Sequence, residues 1–348
     1  MRPPFSDTSK LGFGEIFSDH MFLLKYSDEK GWHGEGIKKY GPFVMDPASC
    51  VLHYAQEIFE GLKAYSAPDG RILLFRPEEN ARRMNRSAAR LCMPQIPEEL
   101  FVKAIADLVN IDQEWVPKAT GTSLYIRPTM IGTEPFLGVR PSKEYYFFII
   151  LSPVGAYYKE GFNPVGIYVE EAMVRSTKGG VGDVKTGGNY AASLLAGEKA
   201  KKKGFAQVLY LDADEHLFIE EVGSMNVFFV YGKKLITPPL GGSILPGITR
   251  QSVITLAPEF GCEVEERRLT IDEVLSDIET GKLTEMFGTG TAAVISPVGY
   301  LNYRDKEYII NDNKVGKITK SIYERLINIQ YGRVDDVYGW TREACRIK

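Results

Sequence analysis

Little in this chain points to redox or metal chemistry. Its 348 residues hold four cysteines, at positions 50, 92, 262 and 345, and no two form a Cys-x-x-Cys pair. So few thiols, so widely spread, are expected to be free thiols of a reducing compartment, not a disulfide framework. His20, His33, His53 and His216 are equally scattered, without His-Glu-x-x-His or paired Cys/His spacing, so no metal site is expected. Charge of one sign is lacking too. A net charge of -3 and a pI near 6.0 argue against a protein built for nucleic acid, though not against a local anion site. The longest greasy run, Tyr145–Leu151, has seven residues, and a membrane-spanning helix needs about 20. Met1-Arg-Pro-Pro-Phe-Ser-Asp7 lacks the apolar core of a signal peptide. A cytoplasmic protein without a membrane segment is the expectation.

What is present is an ordinary globular composition over a length that fits about two domains of ~100–200 residues. Ile72–Phe75 reads as a strand, after which Pro77 opens a helix with Ala81, Met84, Ala88 and Leu91 at helical spacing. Leu100–Val109 suggests a second helix; Ser123–Pro128 and Tyr145–Pro153 suggest strands. The Gly/Pro-rich stretch 155–164 is expected to link a smaller domain, 1–154, to a larger one, 165–348. In the latter, strands are expected at Val165–Val169, Gln207–Leu211, His216–Glu220 and Asn226–Val230. Helices are expected at Tyr190–Lys203 and Thr249–Phe260, behind the capping box Thr270-Ile-Asp-Glu273, and around Ile318, Ile322, Leu326 and Ile329. Meandering strands with interspersed helices point to α+β or mixed α/β domains.

Two glycine-rich segments imitate nucleotide sites. Gly179-Gly-Val-Gly-Asp-Val-Lys-Thr186 is nearly a P-loop, but Val184 stands where glycine must precede the lysine. Gly288-Thr-Gly-Thr-Ala-Ala293 fits a loose dinucleotide pattern, yet Val294-Ile-Ser-Pro-Val298 follows, which opens no helix. Leu245-Pro-Gly-Ile-Thr-Arg250 runs into a helix, whose first N–H groups could bind an anion or merely be capped. Lys185 is either a solvated loop lysine or an amine that condenses with an aldehyde. An enzyme of the latter kind also needs a phosphate cradle, a carboxylate for the pyridine nitrogen and a donor for the ring oxygen. Alternation puts one of Glu220 and Glu221 inward and the other outward without deciding which. Tyr190 could be the phenol donor or a core tyrosine.

Several ordered blocks go further. They are Ile58-Phe-Glu-Gly-Leu-Lys-Ala64, Leu74-Phe-Arg-Pro77, Ser87-Ala-Ala-Arg-Leu-Cys92 and Leu124-Tyr-Ile-Arg-Pro128. In the second half come Gly180–Tyr190, Glu221-Val-Gly-Ser-Met-Asn226, Leu245–Arg250 and Phe287-Gly-Thr-Gly-Thr-Ala292. With these the chain, from about Gly12 to Arg333, resembles the branched-chain amino-acid aminotransferases. These are pyridoxal-phosphate enzymes of fold type IV.

The resemblance implies a two-domain fold-type-IV architecture with pyridoxal 5'-phosphate between the domains. Lys185 matches the Schiff-base lysine, Glu221 the pyridine carboxylate, with Glu220 its outward neighbour, and Tyr190 the ring-oxygen donor. Arg83, the backbone of Ile248 and Thr249, and Thr291 match the phosphate site; Ser224 and Asn226 are further cofactor residues. Arg82, Arg86 and Arg90 become a solvated face, not a nucleic-acid surface. Tyr54, Phe59, Tyr125 and Tyr157 would line the apolar pocket, and Arg127 would meet the distal carboxylate of glutamate. The α-carboxylate would lie near Tyr125 and the backbone of Thr291 and Ala292. Implied substrates are L-leucine, L-isoleucine, L-valine, L-glutamate and their 2-oxo acids, implied assembly a homodimer. Ala293-Val-Ile-Ser296 stands where some mammalian members carry Cys-x-x-Cys, so no thiol switch is expected there. Rival activities are those of D-amino-acid aminotransferases and aminodeoxychorismate lyases, or cofactor binding without turnover.

Overall fold

A computed structural model describes residue 8 and residues 11–155 and 162–347, the side chain of Glu35 apart. The chain packs as two compact units: 1–157 with 184–187 and 328–348, and 158–183 with 188–327. The expected domain 165–348 is thus divided. Strand Thr341–Arg346 leaves it to pair with Arg71–Phe75 of the first unit, and the Lys185 segment is counted there as well.

The first unit is built on an eight-stranded antiparallel sheet. Its centre is the pairing of Ser123–Gly132 with Glu144–Val154. Leu62–Ser66 and Glu57–Phe59 flank the first of these strands, and His20–Ser27 the second. Helix Pro77–Arg90 starts at the expected proline and buries Ala81, Arg83, Met84, Ser87 and Ala88. Arg82, Arg86 and Arg90 lie on its exposed face. Helix Glu98–Ile111 buries Phe101, Val102, Ile105, Leu108 and Val109, the i, i+3/i+4 stripe of an amphipathic helix. Each such side chain removed from water stabilises the unit by about 1.5–3 kcal/mol.

The second unit carries a nine-stranded mixed sheet, in which Val165–Glu170 runs parallel to both Gln207–Leu211 and Val294–Tyr303. Helix Ile271–Glu279 covers its core with Ile271, Val274, Leu275 and Ile278. Thr270 caps that helix as expected, its Oγ1 accepting the Glu273 N–H at 3.1 Å, while the Glu273 carboxylate pairs with Arg267. Two expectations shift. The helix after Lys185 starts earlier, as Gly187–Ala192, and resumes as Leu194–Lys202 beyond Ser193. The strand expected at His216–Glu220 is Ile219–Val222 instead. The reason is Asp212, whose carboxylate accepts the N–H groups of Glu215, Leu217 and Phe218 and holds that stretch as a loop. Among the described residues no helix is long and apolar enough to cross a membrane.

Candidate functional site

Lys185 sits on a short segment bound along the edge of strand Glu57–Phe59. The Phe59 N–H donates to the Lys185 carbonyl at 3.0 Å, and the Thr186 hydroxyl to the Glu57 carbonyl at 2.8 Å. The Lys185 N–H in turn donates to Ser87 Oγ at 3.1 Å, from helix Pro77–Arg90. Backbone held this way aims its side chain, and the Lys185 ammonium lies 4.8 Å from the centre of the Phe59 ring.

The same ring carries a second cation. The Arg127 guanidinium stands 4.6 Å from the Phe59 ring and 5.3 Å from that of Tyr125, and its Nη2 donates to the Tyr125 hydroxyl at 3.0 Å. Arg127 Nε is buried without a hydrogen-bond partner, and no carboxylate among the described residues comes within ion-pair distance of it. A guanidinium so placed has the chemistry to accept an anionic group. Gly61 makes room, since a Cβ there would collide with the Tyr125 hydroxyl. Phe13, which the sequence did not single out, packs edge-on against Tyr125 at 4.9 Å. Tyr54 is elsewhere: its hydroxyl donates to the Leu137 carbonyl on an exposed loop. Tyr157 lies outside the described residues.

Arg83 is buried and engaged. Its Nε and Nη2 donate to the two carboxylate oxygens of Glu60 at 2.8 Å each, and Asn80 adds a third bond at 2.7 Å. Burial drives the Glu60 carboxyl upward, but Arg83, Asn80 and the nearby Lys185 charge outweigh it and hold the group below the ordinary carboxylate range. Glu60 is the residue sequence reasoning missed here. Its signal was an acid between apolar Ile58-Phe59 and Gly61, a place no solvated carboxylate would occupy.

In the second unit both Glu220 and Glu221 are buried, at 9% and 2% exposure, so Glu220 is not the outward neighbour expected. A bulge between Ile219 and Glu221 breaks the alternation that the expectation assumed. Glu221 accepts from Asn226 Nδ2 at 3.0 Å and pairs with Arg175 Nη2 at 2.5 Å. Arg175 also donates to the carbonyls of Gly182 and Ser243. Glu220 accepts the Ser243 hydroxyl, and burial pushes its carboxyl above the usual range despite that bond and the Arg175 charge. No periodicity marks Arg175, so sequence reasoning passed over it.

Tyr190, Glu221, Arg175 and the exposed Ser224 line one cleft of this unit. Asn226 donates further to the Leu245 carbonyl at 2.9 Å, anchoring the chain that leads to helix Ile248–Leu256. Gly247 caps that helix without a side-chain bond, so the first-turn N–H groups of Ile248 and Thr249 face outward from the helix end. Thr291 and Ala292 lie half-buried in the turn between strands Glu285–Gly290 and Val294–Tyr303. Gly288 is paired with both Val227 and Ser296 in the sheet.

The family pattern described as amino-transferase class IV matches residues 57–300. The chain belongs to the class IV amino-transferases. A relative, branched-chain-amino-acid aminotransferase 2 of Bacillus subtilis, is 53% identical over 346 residues, spanning 99% of this chain and 95% of its own. Among solved structures, the branched-chain amino acid aminotransferase of Escherichia coli superposes with a TM-score of 0.79 at 28% identity, over 94% of this chain and all of that one. The T.th. branched-chain amino acid aminotransferase with pyridoxamine 5'-phosphate superposes with a TM-score of 0.76 at 27% identity, over 92% of this chain and 98% of that one.

Class IV amino-transferases use pyridoxal 5'-phosphate, and the residues here fit that group. A helix of nine residues starts without a side-chain cap, which suits a phosphate. A buried carboxylate kept company by Arg175 suits a protonated pyridine nitrogen, and the phenol of Tyr190 shares its cleft.

Proposed function

We infer that this class IV amino-transferase transfers the amino group between L-leucine, L-isoleucine or L-valine and 2-oxoglutarate. Its products are branched-chain 2-oxo acids and L-glutamate. The observation that carries this reading is the Phe59 ring with two cations over it, the Lys185 amine at 4.8 Å and the Arg127 guanidinium at 4.6 Å. An apolar aromatic face suits a branched side chain, and one arginine on it suits the distal carboxylate of glutamate.

Pyridoxal phosphate, when bound, supplies the electron sink for the negative charge that forms at the substrate Cα and stores the amino group between half-reactions. In the first unit Lys185 would hold it covalently, and Arg83, oriented by Glu60, would meet its phosphate. In the second unit the Ile248 and Thr249 N–H groups and Thr291 have the chemistry of phosphate ligands, with Ser224 and Asn226 as further cofactor residues. Glu221 would take the hydrogen bond of the ring nitrogen, and Tyr190 would donate to the ring oxygen. With its amine free, Lys185 Nζ would take the proton from the substrate Cα as general base and, as general acid, would pass it on to the cofactor carbon next to the transferred nitrogen. Tyr125, with the backbone of Thr291 and Ala292, would hold the α-carboxylate; Phe59 and Tyr125 would enclose the side chain.

A homodimer is part of the reading. Leu52, Leu137 and Val139 are 60%, 61% and 86% exposed on neighbouring segments joined by the Tyr54–Leu137 bond, an apolar surface that a second copy would cover. Light scattering of the purified protein tests it. The four cysteines are free, which suits the cytoplasm, and cell fractionation tests that placement. For the chemistry, Lys185→Ala is expected to lower turnover of L-leucine with 2-oxoglutarate by about 1000-fold or more. Turnover close to that of the parent protein would overturn the role of Lys185.

A further inference from the structure

Strand Glu57–Phe59 brings a third charge to this face. It pairs with Ser123–Gly132 so that Glu57 stands opposite Ile131 and Phe59 opposite Thr129. Directly paired residues, and residues two apart on a strand, share a face. Glu57, Phe59, Thr129 and Arg127 therefore lie on one side of the sheet. The Glu57 carboxylate is half-buried and accepts the Gly187 N–H. Glycine at 187 lets the Glu57 carboxylate come close, because a Cβ there would meet Glu57 Oε1 and push it away. Burial raises the Glu57 carboxyl, while that N–H and the positive field of Arg127 pull the other way. Arg127, with no ion-pair partner among the described residues, thus has an acid in its field, held off by a bond to the Lys185 segment.

We propose that Glu57 is a specificity-determining residue, a fixed counter-charge that weakens the pull of Arg127 on a distal carboxylate and so favours branched-chain over dicarboxylate substrates. The proposal rests on the reading of Arg127 as the distal-carboxylate receptor. Its logic is electrostatic: a second anion brought to Arg127 must approach Glu57, and like charges in a partly buried place repel more than in water. A leucine side chain brings no charge and is indifferent to Glu57. Without this acid, glutamate would occupy the site more readily and compete more strongly with the branched-chain amino acids.

The test is Glu57→Gln in the holoenzyme. The amide oxygen can still accept the Gly187 N–H, so the segment stays in place while the charge is gone. KM for L-glutamate and 2-oxoglutarate is expected to fall about 5-fold, with KM for L-leucine and kcat within about 2-fold of the parent. A purely structural residue would shift both substrates alike, and an unchanged glutamate-to-leucine KM ratio overturns the proposal. Glu57→Ala must move the ratio in the same direction, whatever it does to kcat. Calorimetric titration of the holoenzyme with glutarate and with 4-methylpentanoate separates this proposal from the wider functional reading. Glutarate binding that tightens in Glu57→Gln relative to 4-methylpentanoate supports the counter-charge even if leucine proves a poor substrate; equal ratios overturn it.

Discussion

Among the described residues each unit buries one Glu–Arg pair, and the two pairs are built differently. In the first unit Glu60 and Arg83 meet edge to edge with two bonds of 2.8 Å, their side chains 0% and 4% exposed. In the second, Arg175 meets Glu221 at 2.5 Å through Nη2 and spends its other bonds on Ser176 Oγ and the carbonyls of Gly182 and Ser243. A two-pronged pair fixes an arginine plane. A pair whose arginine is shared keeps a carboxylate charged while leaving it able to serve another donor. The first arrangement orients a group; the second keeps one ready for use.

That contrast can be broken from either side. The largest effect is expected from Glu221→Gln, which removes the carboxylate proposed to meet the ring nitrogen. Turnover of leucine should fall by about 100-fold or more, and the visible absorbance of the bound cofactor should change its pH dependence. The fold should suffer less, because Arg175 keeps its carbonyl acceptors. Glu60→Ala should do the reverse in emphasis. It strips Arg83 of a two-bond partner in a buried place, and thermal or urea unfolding should show a loss of about 3–5 kcal/mol. If Glu221→Gln unfolds more readily than Glu60→Ala, the distinction between the two pairs is wrong.

pH sharpens the comparison further. The Glu60 carboxyl is held below its ordinary 4.5, so its contribution to stability is fully present above that value and is lost as pH falls through the lower folded one. Parent and Glu60→Ala unfolding curves should therefore converge in acid. Glu220, beside the other pair, is raised, and the sign inverts: its contribution is present below 4.5 and is lost as pH rises through the folded value. Glu220→Gln, the mildest change, should be slightly more stable than the parent at neutral pH. That gain should vanish toward acid, as chemical denaturation at several pH values would reveal.

Local signals made much of the fold legible. Pro77 at a helix start, the Thr270–Glu273 box and the apolar runs at Ser123 and Tyr145 each sit on the element they announced. Strands without apolar alternation were invisible. Glu263–Glu266 is nearly all glutamate, and Thr341–Arg346 is mostly polar; both lie at sheet edges, where one side of the ladder meets water and polar side chains are tolerated. Site residues divide the same way. Lys185 and Glu221 stand in distinctive blocks, whereas Glu57, Glu60 and Arg175 matter through what they touch across 23 to 129 residues of chain. The bulge that buries both Glu220 and Glu221 is a tertiary outcome that strand alternation cannot foresee.

The late return of Thr341–Arg346 to the edge of Arg71–Phe75 has a consequence for synthesis. On the ribosome, Arg-Ile-Leu-Leu-Phe is made early and waits for its neighbour through some 260 further residues, at ~5–20 residues per second. Throughout that interval an apolar strand edge stands open to other chains. The second unit has its whole sequence out of the ribosome first. A growing chain therefore finishes the half that carries Glu221 before it can close the half that carries Lys185, and its solubility during that wait depends on shielding one short strand.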